Sequence, residues 1–203
     1  MNKNLIILLL LLSCNTPEKY KVIAEYYGAN VFLRPKKYSK DNSPDIEWVT
    51  HTLNVLKDKG KEYDLFSILR PTSPFRMPET IRRAINKFFK SYGVDSLRAV
   101  EICSQHPAKM WFVEDKIMRP VLIGNNSGVP WHNCQFSSLP EIYVQNASLE
   151  IAKTSVVFEK KSISGNNIMP FITQEFEGLD LNHAWDWEYA TYLLKQKKAL
   201  LPS

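Results

Sequence analysis

A chain of 203 residues, 44% hydrophobic and 23% charged, can bury one substantial core and holds no low-complexity block that would keep it disordered. Its +5 charge comes from 26 basic and 21 acidic residues, scattered rather than run together, which argues against a nucleic-acid partner. An anionic small molecule or a plainly solvated basic surface fits equally well. Three cysteines, Cys14, Cys103 and Cys134, form no C-x-x-C pair, so neither a disulfide framework nor a zinc knuckle is expected. With seven glycines and neither G-x-G-x-x-G nor G-x-x-x-x-G-K-[ST], no glycine loop announces a nucleotide.

The apolar run Leu5 to Leu12 is too short to span a bilayer. It reads either as a buried parallel strand or, with Ser13-Cys14, as a lipoprotein signal anchored through Cys14. The segment from Pro17 to Tyr27, with Val22, Ile23 and Tyr26 at helical spacing and Gly28 behind it, completes a β-α unit and favours the strand. That reading makes the protein cytoplasmic with no membrane partner; the other makes it lipid-anchored. Ala29 to Leu33 reads as a short strand. A helix then begins with Ser43 as N-cap, Pro44 in first position and Asp45 and Glu47 in the first turn, with Ile46, Val49, Leu53 and Leu56 inward.

Leu65 to Leu69 is a buried strand that runs straight into Arg70-Pro71-Thr72-Ser73-Pro74. Ligands of open α/β sheets bind beyond the carboxyl ends of strands, so this turn lies where a site belongs. The next helix opens at Pro78 and carries Ile81, Ala84, Ile85, Phe88 and Phe89 inward, with Arg82 and Arg83 toward solvent. Asp95 to Ile102 reads as a strand and Met110 to Leu122 as a hairpin. Gly124 to Pro140 is a long loop of the functional or interfacial kind. Ile142 to Ile151 is strand-like, Ser155 to Phe158 a short element, and Asp186 to Lys197 a closing helix with Trp187, Ala190 and Leu194 inward.

Four motifs in order resemble the acylneuraminate cytidylyltransferase family, which joins cytidine triphosphate (CTP) to sialic-acid-like sugars. Leu69 to Arg76 is similar to its L-Q-P-T-S-P-[LF]-R signature, and Asp95 to Val100 with His106-Pro107-Ala108-Lys109-Met110-Trp111 to its D-S strand and H-P-x-K-M-W element. Leu139 to Tyr143 with Asn146-Ala147-Ser148 resembles L-P-x-x-Y-x-x-N-G/A, and Gly178-Leu179-Asp180-Leu181-Asn182 its closing D-I-D/N motif. Ser13-Cys14-Asn15 is similar to the end of the family's S-T-D strand. The family's first strand and P-A-R-G-G-S-K loop have no counterpart before Leu5, so reduced turnover is expected of the chain as it stands.

The resemblance implies a single α/β domain over 1–203, a Rossmann-like nucleotide-sugar transferase with a mixed sheet flanked by helices, and a dimer excursion over 109–140. The implied substrates are CTP and an acidic nine-carbon sugar, the implied cofactor Mg²⁺, and the implied assembly a homodimer. Asp180 and Asn182, two apart and facing one way on an extended strand, are the expected metal ligands, and Asp180 and Arg70 the expected catalytic residues. The competing reading is an Asx turn that caps the last helix. Arg70 stands where the family often has a sugar-contacting glutamine and could grip a carboxylate or phosphate; as a plain surface arginine it would end a strand. Thr72, Ser73, Lys109 and Asn146 are the other implied substrate contacts. His106 could be a general base or, more ordinarily, structural. The rival to an enzyme is a non-catalytic remnant or a lipid-anchored sugar-binding protein.

Overall fold

The computed structural model describes residues 5–9, 17–40 and 42–202. The Ser13-Cys14-Asn15 match, the lipidation reading of Cys14 and the end of the Leu5 to Leu12 run lie outside these residues.

In chain order the elements are β1 (Leu5–Leu9), α1 (Pro17–Tyr26), α2 (Asp45–Asp58), β2 (Leu65–Leu69), α3 (Pro78–Phe89) and β3 (Ser96–Ile102). There follow β4 (Trp111–Glu114), β5 (Ile117–Pro120), β6 (Asn125–Asn126), β7 (Val129–Pro130), β8 (Tyr143–Lys153), α4 (Thr154–Lys160), β9 (Ile168–Ile172) and α5 (Ala184–Lys195). A five-stranded mixed sheet has the order β1-β2-β8-β3-β9, with β1 parallel to β2 and β8 antiparallel to β2. Among the described residues no helix is long and apolar enough to cross a membrane.

Strand β2 is buried along its whole length, as a continuous apolar run between two covered faces must be. One face packs Phe66 and Ile68, with Ala152 of β8, against Trp48, Val49 and Leu53 of α2. The other packs Leu65 and Leu69, with Leu97, Ala99, Leu149 and Ile151, against Ala84 and Phe88 of α3. The period-2 alternation of β2 and β8 thus divides one strand pair between two cores.

Several local expectations change. Ala29 to Leu33 forms no strand. Helix α2 is flanked by Pro44 as N-cap rather than Ser43, whose hydroxyl accepts from Lys40 N instead. Helix α1 leaves Val22, Ile23 and Tyr26 exposed and buries only Ala24 among its described side chains, since it follows the sheet's edge strand. Trp187 is also exposed: the core beneath α5 begins at Ala190 and Leu193, a turn further along. Arg83 is paired with Glu177 at 2.6 Å and lies over the Phe171 ring, not toward solvent.

The chain divides into two compact units, Met1–Ala99 with Asn146–Ser203, and Val100–Gln145. In the second, β4 and β5 make a hairpin and β6 and β7 another, whose turn residues Ser127 and Gly128 both take positive φ.

Candidate functional site

The turn after β2 is built from within. Arg76 is a partly buried guanidinium whose Nη1 donates to the carbonyls of Arg70 (3.0 Å) and Ser148 (2.5 Å), so it ties both ends of the turn to β8. Burial lowers its pKa to about 10, still far above neutrality, so it remains a cation. Phe75 at the foot of the turn packs with Ala190 and Leu193 of α5 and with Leu179 and Leu181.

Through that packing the turn meets the closing motif. Leu181 N donates to Thr72 O at 2.9 Å, which joins segments over a hundred residues apart. Asp180 Oδ2 accepts from Asn182 Nδ2 at 2.8 Å, while Asp180 Oδ1 is buried with no hydrogen-bond partner. The two side chains therefore meet as the i, i+2 spacing predicts, although the backbone here is irregular rather than a strand. Neither caps the last helix: His183 and Asp186 do so, the Asp186 carboxylate accepting from the backbone N–H of Asn182 and His183. A buried, unpaired carboxylate oxygen is costly unless something fills its place, and a hard oxygen donor suits a divalent cation. Among the described residues no cluster of three or more His, Cys, Asp or Glu could hold a metal alone. One or two protein oxygens plus substrate phosphates is the usual arrangement for Mg²⁺, so Asp180 and Asn182 fit it.

Ser73 is 5% exposed and its hydroxyl has no partner. On β8, Asn146 donates to Thr173 Oγ1 at 2.9 Å and accepts from Ser148 N, so its amide is already engaged inside the fold.

Arg70 is not the free surface arginine that position alone allowed. Its Nη2 lies 2.5 Å from Asp45 Oδ2, at the start of α2, and 3.3 Å from Glu150 Oε1 on β8. Glu150, 4% exposed, also pairs with Arg98 of β3. Burial opposes the charge on Arg70, and the two carboxylates more than restore it. Burial would likewise raise the Asp45 carboxyl; hydrogen bonds from the Trp48 indole at 2.8 Å and from Arg70 outweigh it and hold the group below its ordinary range.

Sequence reasoning missed Arg76, Arg98 and Glu150, and read Asp45 only as a helix-terminal charge. The signal was present: Glu150 lies inside the buried stretch Ser148 to Ala152 and Arg98 between the buried Leu97 and Ala99, and charges so placed need partners.

Lys109 belongs to the other unit. Its ammonium donates to His132 O (2.8 Å) and Cys134 O (2.6 Å), which pins the loop after β7. His106 is 3% exposed, lies 2.9 Å from Pro140 O and accepts from Ala108 N, a structural role.

A mixed sheet, a two-proline turn at the carboxyl end of its buried strand and an acidic closing motif hydrogen-bonded to that turn define a nucleotide-sugar-transferase type of α/β fold. A CMP:2-keto-3-deoxy-manno-octonic acid synthetase complexed with CTP superimposes with a TM-score of 0.56 at 10% identity, over 88% of this chain and 78% of that one. No family model matches the chain. In sequence it is 28% identical over 186 residues to the N-acylneuraminate cytidylyltransferase of Escherichia coli O18:K1:H7, covering 89% of this chain and 41% of that protein. It is equally similar, at 28% over 186 residues, to the CMP-N,N'-diacetyllegionaminic acid synthase of Legionella pneumophila, covering 88% of this chain and 75% of that protein. In sequence the chain is thus similar to acylneuraminate cytidylyltransferases, as its motifs implied, and it spans about two fifths of the length of the E. coli protein.

Proposed function

We propose that this chain serves cytidylyl transfer: a hydroxyl oxygen of an acidic nine-carbon sugar attacks the α-phosphorus of CTP, pyrophosphate leaves, and the CMP-sugar forms. The observation that carries the reading is the junction of the signature turn with the closing motif, where the unpartnered Asp180 Oδ1 sits one residue from the Leu181–Thr72 hydrogen bond. The names of the two sequence relatives support the substrate class.

Asp180 and Asn182 are the residues that would hold Mg²⁺, which when bound spreads phosphate charge in the transition state. Thr72 and Ser73 line the turn as hydroxyl donors, with the buried Ser73 Oγ free to accept a new partner. The resemblance makes Asn146 a sugar contact; its amide donates to Thr173 Oγ1 and accepts from Ser148 N. Arg76 binds nothing from outside; it fixes the turn.

The same reading includes a homodimer. The β4–β5 hairpin supports it, with Phe112, Val113, Ile117 and Met118 all exposed.

Pyrophosphate release from CTP, Mg²⁺ and N-acetylneuraminate or a legionaminate-type sugar tests the reading. Release above background is expected, and Asp180→Ala should lower it by about a hundredfold or more. No release from the wild-type chain, or identical release from the variant, sinks it in favour of a non-catalytic sugar-binding domain.

A further inference from the structure

Glu177 lies in the connection from β9 to α5, shortly before Asp180, and both its carboxylate oxygens are taken. Oε1 accepts from Thr80 Oγ1 and from Arg83 Nη2, each at 2.6 Å. Oε2 accepts from Arg83 Nη2 at 2.6 Å and from the backbone N–H of Gln174 at 2.9 Å. Thr80 and Arg83 share one face of α3, with Thr80 1% exposed and Arg83 laid over the Phe171 ring of β9.

The same carboxylate closes a turn. Glu177 N donates to Gln174 O at 3.0 Å while the Gln174 N–H returns to the Glu177 side chain, and between them Glu175 takes a positive φ of 48°. A glutamate keeps that left-handed backbone where its surroundings fix it, and a turn closed twice does so. Leu179 N then donates to Phe176 O, and Leu181 N to Thr72 O. Asp180 therefore stands between two fixed points, the α3 anchor before it and the signature turn after it, with its Oδ1 buried and unpartnered. Glu177 has no acceptor position left for a metal, and its charge is matched by Arg83.

Building on the proposed Mg²⁺ site, we infer that Glu177 is a positioning residue. By tying the β9–α5 connection to α3 it fixes the backbone that aims Asp180 Oδ1, and so sets how tightly a metal-bound nucleotide is held. It touches neither the nucleotide nor the sugar.

The test compares CTP with and without a metal on the full chain. Mn²⁺, which takes octahedral oxygen ligands as Mg²⁺ does, is the probe. Binding of Mn²⁺·CTP is followed by water-proton relaxation, and binding of metal-free CTP by calorimetry in EDTA. In Glu177→Gln the amide NH₂ must face a donor, Arg83 Nη2 or the Gln174 N–H, so the anchor is broken. Mn²⁺·CTP affinity is expected to fall about tenfold while metal-free CTP affinity is unchanged. Asp180→Ala should lose at least as much, and Glu177→Gln added to it should lose no more, since both act through one oxygen. Should Glu177→Gln fail to fold, Thr80→Val removes one donor, keeps the shape, and should show the same selective loss at about threefold. A purely structural Glu177 would lower Tm and leave both affinities where they were. The inference is overturned, with cytidylyl transfer left standing, by unchanged Mn²⁺·CTP binding in the folded Glu177 or Thr80 variant, or by an equal loss of metal-free CTP. Wild-type Mn²⁺·CTP binding in Asp180→Ala, or a Glu177 loss that adds to that of Asp180→Ala, overturns it likewise. No binding of CTP in either form by the wild type overturns both.

Discussion

Two carboxylates show how single residues set the pH range of the fold. Lys160, followed by the backbone N–H groups of Asn167 and Asn166, holds the Asp95 carboxyl well below the ordinary value of 3.8. Asp45 is also held low, against the effect of its burial, by Trp48 and Arg70. A carboxyl whose folded pKa is depressed binds fewer protons in the folded than in the unfolded chain. Its contribution is therefore complete above the unfolded value near 4 and lost as pH falls through the folded one. Thermal unfolding followed from pH 7 to pH 3 should show Tm falling below about pH 4. Asp95→Asn and Asp45→Asn should each be less stable at pH 7 and less steeply acid-sensitive; curves parallel to the wild type would contradict the assignment.

Elements meet the site through a few large contacts. The turn after β2 reaches α5 by Phe75, 4% exposed, and reaches the closing motif by one backbone hydrogen bond. Phe75→Ala removes most of that anchor and should cost about 3–5 kcal/mol in urea unfolding, with pyrophosphate release reduced at temperatures where the variant is still folded. A variant as stable as wild type would mean that Phe75 does not anchor the turn. The loop between α4 and β9 offers a second check. Gly165 has φ of 68°, and an added Cβ would lie 2.6 Å from Asp95 Oδ2, inside the contact that organises the loop. Gly165→Ala is expected to destabilise by about 2 kcal/mol or more by the same unfolding measurement, because a left-handed backbone and a clash coincide.

For the molecule as a whole the open prediction is assembly. The exposed apolar side chains of the β4–β5 hairpin are of the kind that a second copy would cover. Sedimentation equilibrium at micromolar concentration should give a mass near twice 23.5 kDa, and Phe112→Asp with Ile117→Asp should give a monomer. A wild-type monomer under those conditions would exclude the dimer.

Periodicity and turn chemistry were enough to read β2, α2, α3 and the hairpin from sequence, because each is specified by its own residues: continuous Leu-Phe-Ser-Ile-Leu for a strand covered on both faces, Pro44 and Pro78 at helix starts, spaced apolar residues facing inward, although Phe89 at the end of α3 is exposed. The family resemblance implied that Asp180 and the Pro-Thr-Ser-Pro turn serve one site, and Leu181 N donates to Thr72 O where the two segments meet. What local pattern could not supply was partnership. Whether Arg83 is solvated or paired with Glu177, whether α1 finds an apolar surface, and which residues surround Arg70 depend on segments tens of residues away. Sequence alone made Arg70 a cation at a strand end. Its pairing with Asp45 and Glu150 was decided only when β2, β8 and α2 packed together, because Coulomb pairing depends on distance in space and not along the chain.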